Sequence, residues 1–405
     1  MGLINRNVPV HSAEFQWWNP TRIVFGNGKV KDLPDDLDLD WKFEGKDRVM
    51  VITDAGVKSA GVLDYLLDAL KGSSREVVAV FDSVLPESDK EQVYEIAKIA
   101  SEAKIDFWIA LGGGSVIDVT KMAAVIESEG GQVEDYEGFY MVQKETKPII
   151  CIPTTCGTGS EVTWGAVIMD RVKKKKIICG DYKFIPRVAV LDPECTRTLP
   201  AHIVAGTALD AMTHCIGSFV SDQRQDISGA ISLRAIEMVA DNIEAAYHDN
   251  SNELEARSKL LIAANMGGIA FQTALPGADH GIGHTAGALH HIHHGVAVAI
   301  ANLYVMEYNM QAVPHLYASV ARALGVKDDG ASDEVMGRRA IEALRELYTK
   351  VSVKHTYKEY GFPTDDATID QLTEQSMEDG TMVFNPVSVS RTPEFERLIK
   401  NCVGV

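Results

Sequence analysis

At 405 residues the chain exceeds the size at which one hydrophobic core is the default, so two domains are expected. Its 46% apolar and 24% charged residues are ordinary globular composition, and a formal charge of −18 argues against nucleic acid and anionic membrane surfaces as partners. The six cysteines (Cys151, Cys156, Cys179, Cys195, Cys215, Cys402) form no CxxC pair, which removes the grounds for a disulfide framework or a thiolate zinc site. With neither a signal-peptide pattern nor an apolar run of spanning length, the chain reads as a soluble, cytoplasmic protein.

Short apolar, β-rich runs at 48–53, 77–81, 106–111, 148–152 and 187–191 predict buried strands. Helical patterns over 57–70 and 91–103 alternate with the first three, which predicts parallel βαβ units. Beyond residue 196 the pattern changes to long helices over 205–220, 227–246, 254–271, 296–312 and 333–347. The expected fold is therefore an α/β nucleotide-binding domain with a mostly parallel sheet (1–196), followed by an all-α metal-binding domain (197–405).

Within the first half, LGGGSVIDVTK (111–121) follows a strand and opens a helix. Gly112, Gly113 and Gly114 let backbone N–H groups approach a phosphate, Ser115 adds a hydroxyl, and the helix N-terminus adds a favourable dipole. The spacing is neither GxGxxG nor a Walker A loop. A second turn, PTTCGTGSEVT (153–163), places hydroxyls after the next strand, where ligands of open α/β sheets bind. Asp54 ends the first strand: it either bonds an adenosine ribose and repels a 2′-phosphate, or caps the following helix. The run Lys173–Lys176 reads as a solvated turn rather than a targeting signal.

In the second half, Asp210 and His214 lie four apart and share one helix face. Downstream, DHGIGHTAGALHHIHHG carries six of the chain's 12 histidines, at 280, 284, 290, 291, 293 and 294. A carboxylate with imidazoles and no thiolate suits Fe(II), Zn(II) or a similar ion, while spacing alone leaves open which imidazoles bind. The absence of HExxH and GxSxG disfavours zincin and serine hydrolases.

These segments, with WWNPTRIVFGNG, ITDAG, VAVLDPECTRTLP and the stretch to VMEYN at 305–309, run in one order through nearly the whole chain. In that order the sequence resembles the iron-containing alcohol dehydrogenases. The resemblance implies NAD(P)-linked, reversible interconversion of an alcohol with its aldehyde or ketone, in a cleft between the two domains. It implies Asp210, His214, His280 and His294 as metal ligands and places His284 near the substrate and cofactor. His284 would share a helix face with His280, and an imidazole suits proton exchange at neutral pH, so it is expected to pass a proton without binding metal, the alternative being a histidine that only packs there. Gly112, Gly113, Gly114 and Ser115 would hold the pyrophosphate; Thr154, Thr155 and Thr158 would line the cofactor, and Lys176 would lie near the nucleotide. Fe(II) is the first expectation for the ion, with Zn(II) and Mn(II) as alternatives, and Asp54 favours NAD over NADP. The expected partner is a small alcohol or aldehyde, with homo-oligomerisation left open. A zinc polyol dehydrogenase and a dehydroquinate-synthase-like enzyme of the same superfamily are the rival readings. The chain departs from the family pattern at Gly217, where glutamate is usual, at His293, where proline is common, and at Tyr304, a common histidine position. Gly217 and Trp164 bear on the substrate pocket.

Overall fold

A computed structural model describes residues 15–40, 43–248 and 254–405. The chain divides into two compact units: residues Asn19–Thr155 with Gly159–Leu199, and Pro200–Val405 with Cys156–Thr158 and the segment ending at Trp18.

The first unit contains strands β1 (Arg22–Phe25), β2 (Arg48–Ile52), β3 (Glu76–Phe81), β4 (Phe107–Gly112), β5 (Gly138–Phe139), β6 (Ile149–Pro153), β7 (Gly165–Asp170), β8 (Lys175–Gly180) and β9 (Val188–Leu191). Its helices are α1 (Leu33–Asp38), α2 (Ala55–Ser59), α3 (Val62–Leu70), α4 (Lys90–Ala103) and α5 (Gly114–Glu129). Six strands form one sheet in the order β1-β9-β6-β4-β2-β3, with every pairing parallel. Alternate side chains of a strand face opposite ways, and both faces here are covered, so β4, β6 and β9 are buried at every position. Met50, Ile52, Trp108 and Ala110 pack into one core with α4 and α5; Val49, Val51, Phe107 and Ile109 pack into the other with α1 and α3.

Two expectations are corrected. The single helix over 57–70 is two, because Gly61 adopts φ 78 and breaks the run into α2 and α3. A small second sheet, β5-β8-β7, adds an antiparallel pair in which β7 and β8 join through residues 171–174. Lys173 and Lys174 thus lie in the turn, whereas Lys175 and Lys176 begin β8, with Lys176 half-buried opposite Met169.

The second unit is helical among its described residues: α6 (Ala201–Val220), α7 (Asp226–His248), α8 (Leu254–Ala274), α9 (Ala278–His290), α10 (His294–Asn309), α11 (Pro314–Ala323), α12 (Asp333–Lys350), α13 (Asp366–Met377) and α14 (Pro393–Val403). α6 is long and apolar enough to cross a membrane, but 94% of its apolar window is buried within the protein. It forms the centre of the helical unit, packed against α7, α8 and α10. Glycines permit the closest crossings. A β-carbon on Gly295 of α10 would stand 2.0 Å from the Gly206 carbonyl oxygen of α6 and 2.9 Å from Asp210 Cβ. One on Gly283 of α9 would stand 2.8 Å from the backbone nitrogen of Val298 in α10. Gly295 also follows His294, so backbone contact between the helices sets how near that imidazole comes to Asp210. Gly295→Ala must therefore part α6 from α10. We expect it to cost about 3 kcal/mol of unfolding free energy in a denaturant titration, and to lower bound metal in the same preparation.

Candidate metal centre and nucleotide turn

Asp210 and His214 sit one turn apart on α6, His280 and His284 one turn apart on α9, and His294 opens α10. Three helices thus deliver five side chains to one place. Asp210 Oδ1 lies 3.4 Å from His294 Nε2, 3.8 Å from His214 Nδ1 and 3.9 Å from His280 Nε2. The donor atoms of Asp210, His280 and His294 all fall within 4.8 Å of one another, the span of a shared cation. His214 stands at the edge of this group, its ring stacked on His280 at 4.5 Å and on Phe271 at 4.3 Å. His214 Nδ1 and His280 Nε2 are buried without a hydrogen-bond partner, which is costly unless a cation takes up their lone pairs. The residues therefore fit a divalent ion. Burial, reinforced by His280 and His284 and opposed by a hydrogen bond to the Gly157 backbone, drives the His214 pKa well below the ordinary imidazole range. It is neutral at physiological pH, the form that ligates.

Two further carboxylates, neither assigned a role from the sequence, orient the histidines of α9. Asp279 Oδ1 accepts from His280 Nδ1 at 2.8 Å. Asp379 Oδ2 accepts from His284 Nδ1 at 2.9 Å, while its Oδ1 accepts from the Thr381 backbone N–H and hydroxyl at 2.9 and 2.7 Å. Burial pushes the Asp379 carboxyl up, but His284 and Thr381 outweigh it and hold the group well below the usual carboxylate range. An ionised Asp379 can only accept, so His284 carries its proton on Nδ1 and presents Nε2 as the basic atom. The ring of His284 stacks on that of His294 at 5.2 Å. Asp379 lies 95 residues from its partner, in an acidic stretch like several others, and no local signal distinguishes it.

In the α/β unit, Gly112 ends β4, Gly113 precedes α5 and Gly114 and Ser115 form its first turn. Gly113 has no side chain to cap the helix, so the first N–H groups of α5 stand open to an anion. Thr154 N donates to the Gly112 carbonyl at 3.1 Å, and a β-carbon on Gly113 would lie 3.1 Å from Thr155 Cγ2. The two turns read separately in the sequence are thus one structure. Ser115 Oγ accepts from the Glu87 N–H at 3.0 Å, where Glu87 and Ser88 both hold left-handed backbone angles. Asp54, half-buried, caps α2 by accepting from the Val57 N–H at 2.9 Å. Thr53 donates to the Leu111 carbonyl at 2.7 Å, which ties the carboxyl end of β2, and so Asp54, to that of β4. Thr158 belongs with Cys156 and Gly157 to the helical unit.

Comparison with known proteins agrees with this chemistry. A sequence model of iron-containing alcohol dehydrogenase matches residues 20–193, and one of the C-terminal domain of that family matches 204–401. The chain is 30% identical over 384 residues to the NAD-dependent methanol dehydrogenase of Bacillus methanolicus, covering 95% of this chain and 98% of that protein. It is also 30% identical over 377 residues to the NADPH-dependent butanol dehydrogenase of Clostridium saccharobutylicum, covering 92% and 94%. Among solved structures, a 1,3-propanediol oxidoreductase superposes with a TM-score of 0.90 at 26% identity, covering 96% of this chain and 100% of that one.

Proposed function

The chain belongs to the iron-containing alcohol dehydrogenases, NAD(P)-linked enzymes that interconvert an alcohol with its aldehyde or ketone, and from that premise we propose that Asp210, His214, His280 and His294 hold its divalent ion. One observation carries this reading: a buried carboxylate oxygen faced by three imidazole nitrogens at 3.4, 3.8 and 3.9 Å. The nitrogen and oxygen donor set favours Fe(II), with Zn(II) and Mn(II) as alternatives. Small alcohols and aldehydes are the proposed substrates, as the names of the methanol, butanol and propanediol relatives support.

When bound, the ion supplies Lewis acidity toward a substrate oxygen and the nicotinamide carries the hydride. The protein's own groups do the rest. Gly112, Gly113, Gly114 and Ser115 receive the pyrophosphate on backbone N–H groups at the start of α5, with Thr154 and Thr155 beside them. Thr158 and Lys176 are assigned to the cofactor by the family pattern. Asp54 receives the ribose hydroxyls, and its negative charge disfavours a 2′-phosphate, so NAD is preferred over NADP. His284, held by Asp379, exchanges a proton at Nε2 with the substrate hydroxyl.

Each assignment has its measurement. The protein reconstituted anaerobically with Fe(II), Zn(II) or Mn(II), then assayed against a panel of alcohols and aldehydes, identifies the productive ion and substrate. His280→Ala is expected to lose most metal by elemental analysis and most activity, and full occupancy in that variant would refute the ligand set. For Asp54, the ratio of kcat/KM with NAD to that with NADP is expected to exceed one in the wild type. In Asp54→Gly it should fall by about tenfold or more, which corresponds to ~1.4 kcal/mol or more of discrimination; a wild type that prefers NADP ends the ribose assignment. His284→Ala is expected to keep metal and cofactor while turnover drops by roughly 10²–10⁴-fold. Near-normal turnover with an unaltered pH profile would reduce His284 to a packing residue, and loss of metal would move it among the ligands.

A further inference from the structure

Gly217 stands on α6, three residues after His214, where the family pattern has glutamate, and a carboxylate from another helix occupies the adjoining space. A β-carbon at 217 would lie 3.0 Å from Asp279 Oδ2 and 3.5 Å from Asp279 Oδ1. Asp279, the second residue of α9, is 2% exposed. Its Oδ1 accepts from the backbone N–H of His280 at 2.7 Å and from His280 Nδ1 at 2.8 Å. Among the described residues its ion-pair partner is His280. A carboxylate buried against an imidazole is poorly compensated unless positive charge lies close by. The opposite ring nitrogen, Nε2, is 3.9 Å from Asp210 Oδ1 and has no hydrogen-bond partner.

We propose that Asp279, seated in the space kept open by Gly217, is the positioning residue of the metal centre. It fixes the His280 ring with the proton on Nδ1, and so aims the Nε2 lone pair at the ion. The inference rests on His280 being a ligand. Carboxylates that receive the second N–H of a ligating histidine set its tautomer and orientation and raise its basicity. The position of this carboxylate is tied to side-chain volume: a β-carbon at 217 would press on Asp279 Oδ2 at 3.0 Å and oblige it to shift by a few tenths of an ångström, and a longer side chain would compete for the same space. α9 therefore supplies both the ligand and the group that orients it. With glycine at 217 and aspartate at 279, the chain still has one carboxylate beside the His280 ring, so charge is conserved if the family's glutamate serves that ring. A longer acidic side chain from 217 would approach from the α6 side, since its β-carbon starts only 3.5 Å from the oxygen that now holds Nδ1.

The experiment measures metal affinity directly, by competition with a chromophoric chelator for Fe(II) and Co(II), together with the visible spectrum of the Co(II) protein. Asp279→Asn, which keeps size and an acceptor, and Asp279→Ala are expected to weaken binding, with the alanine variant down by roughly 10–100-fold and its Co(II) spectrum altered. Gly217→Glu alone crowds Asp279 with a like charge and is expected to weaken binding too. The double variant Gly217→Glu/Asp279→Ala is expected to recover most of the affinity, a reversal of sign that lost packing alone would not produce. Circular dichroism reports folding, and the near-isosteric asparagine variant keeps the test decisive if alanine unfolds the chain. Wild-type affinity in both Asp279 variants, with His280→Ala metal-free, overturns the positioning role and leaves the ligand set standing. A double variant no tighter than Asp279→Ala overturns the exchange between positions 217 and 279. Metal retained by His280→Ala instead overturns the ligand assignment beneath both.

Discussion

Backbone-to-backbone approach of helices is the constraint on which the proposed metal centre depends. α6 and α10 meet where Gly206 and Gly295 face each other with no room for a β-carbon, and α9 meets α10 at Gly283 in the same way. Imidazoles have short side chains, so donor atoms from three helices converge only if the helix axes are closer than ordinary side chains allow. Buried polar groups then accumulate in a small volume, which an apolar core would not tolerate. A cation held there would resolve the conflict by taking up the lone pairs that the packing has left facing one another.

The α/β unit reaches its binding geometry by a different route. Its strands are parallel, so all six finish at the same edge of the sheet, and their C-terminal residues meet there without long-range design. Two hydrogen bonds lock the edge: Thr53 to the Leu111 carbonyl and Thr154 N to the Gly112 carbonyl. The first sets Asp54 beside the glycine turn; the second joins that turn to the threonine turn. Asp54 therefore caps α2 while standing at the ligand edge, and the two readings of it are compatible.

His280 and His284 show how neighbours assign different work to identical side chains. Both are buried on one face of α9, and both donate Nδ1–H to a carboxylate. His280 Nε2 faces Asp210 at 3.9 Å, which suits it to the proposed ion; the ring of His284, one turn on, stacks against that of His294. The partners differ in origin as well. Asp279 precedes its histidine on the same helix, whereas Asp379 caps the short helical turn at 380–384.

The sequence by itself determined the strand-and-helix alternation, the five main strand runs, the change to helices after residue 196, the glycine turn and the acid–histidine sets, because each is written in local periodicity or in residues rare outside their chemistry. It was silent on β1 and on two of the three strands of the small second sheet, β5 and β7, whose short or mixed patterns match no single period, and it did not register the break at Gly61. Only the tertiary structure decided that Asp379 bonds His284 and Asp279 bonds His280, that Gly217 leaves room beside Asp279, and that the His214 ring stacks on that of His280. An acidic residue looks the same in sequence whether it solvates a surface or orients an imidazole. The difference lies in which helix arrives beside it, and that is set by volume and close packing across distances no local pattern encodes.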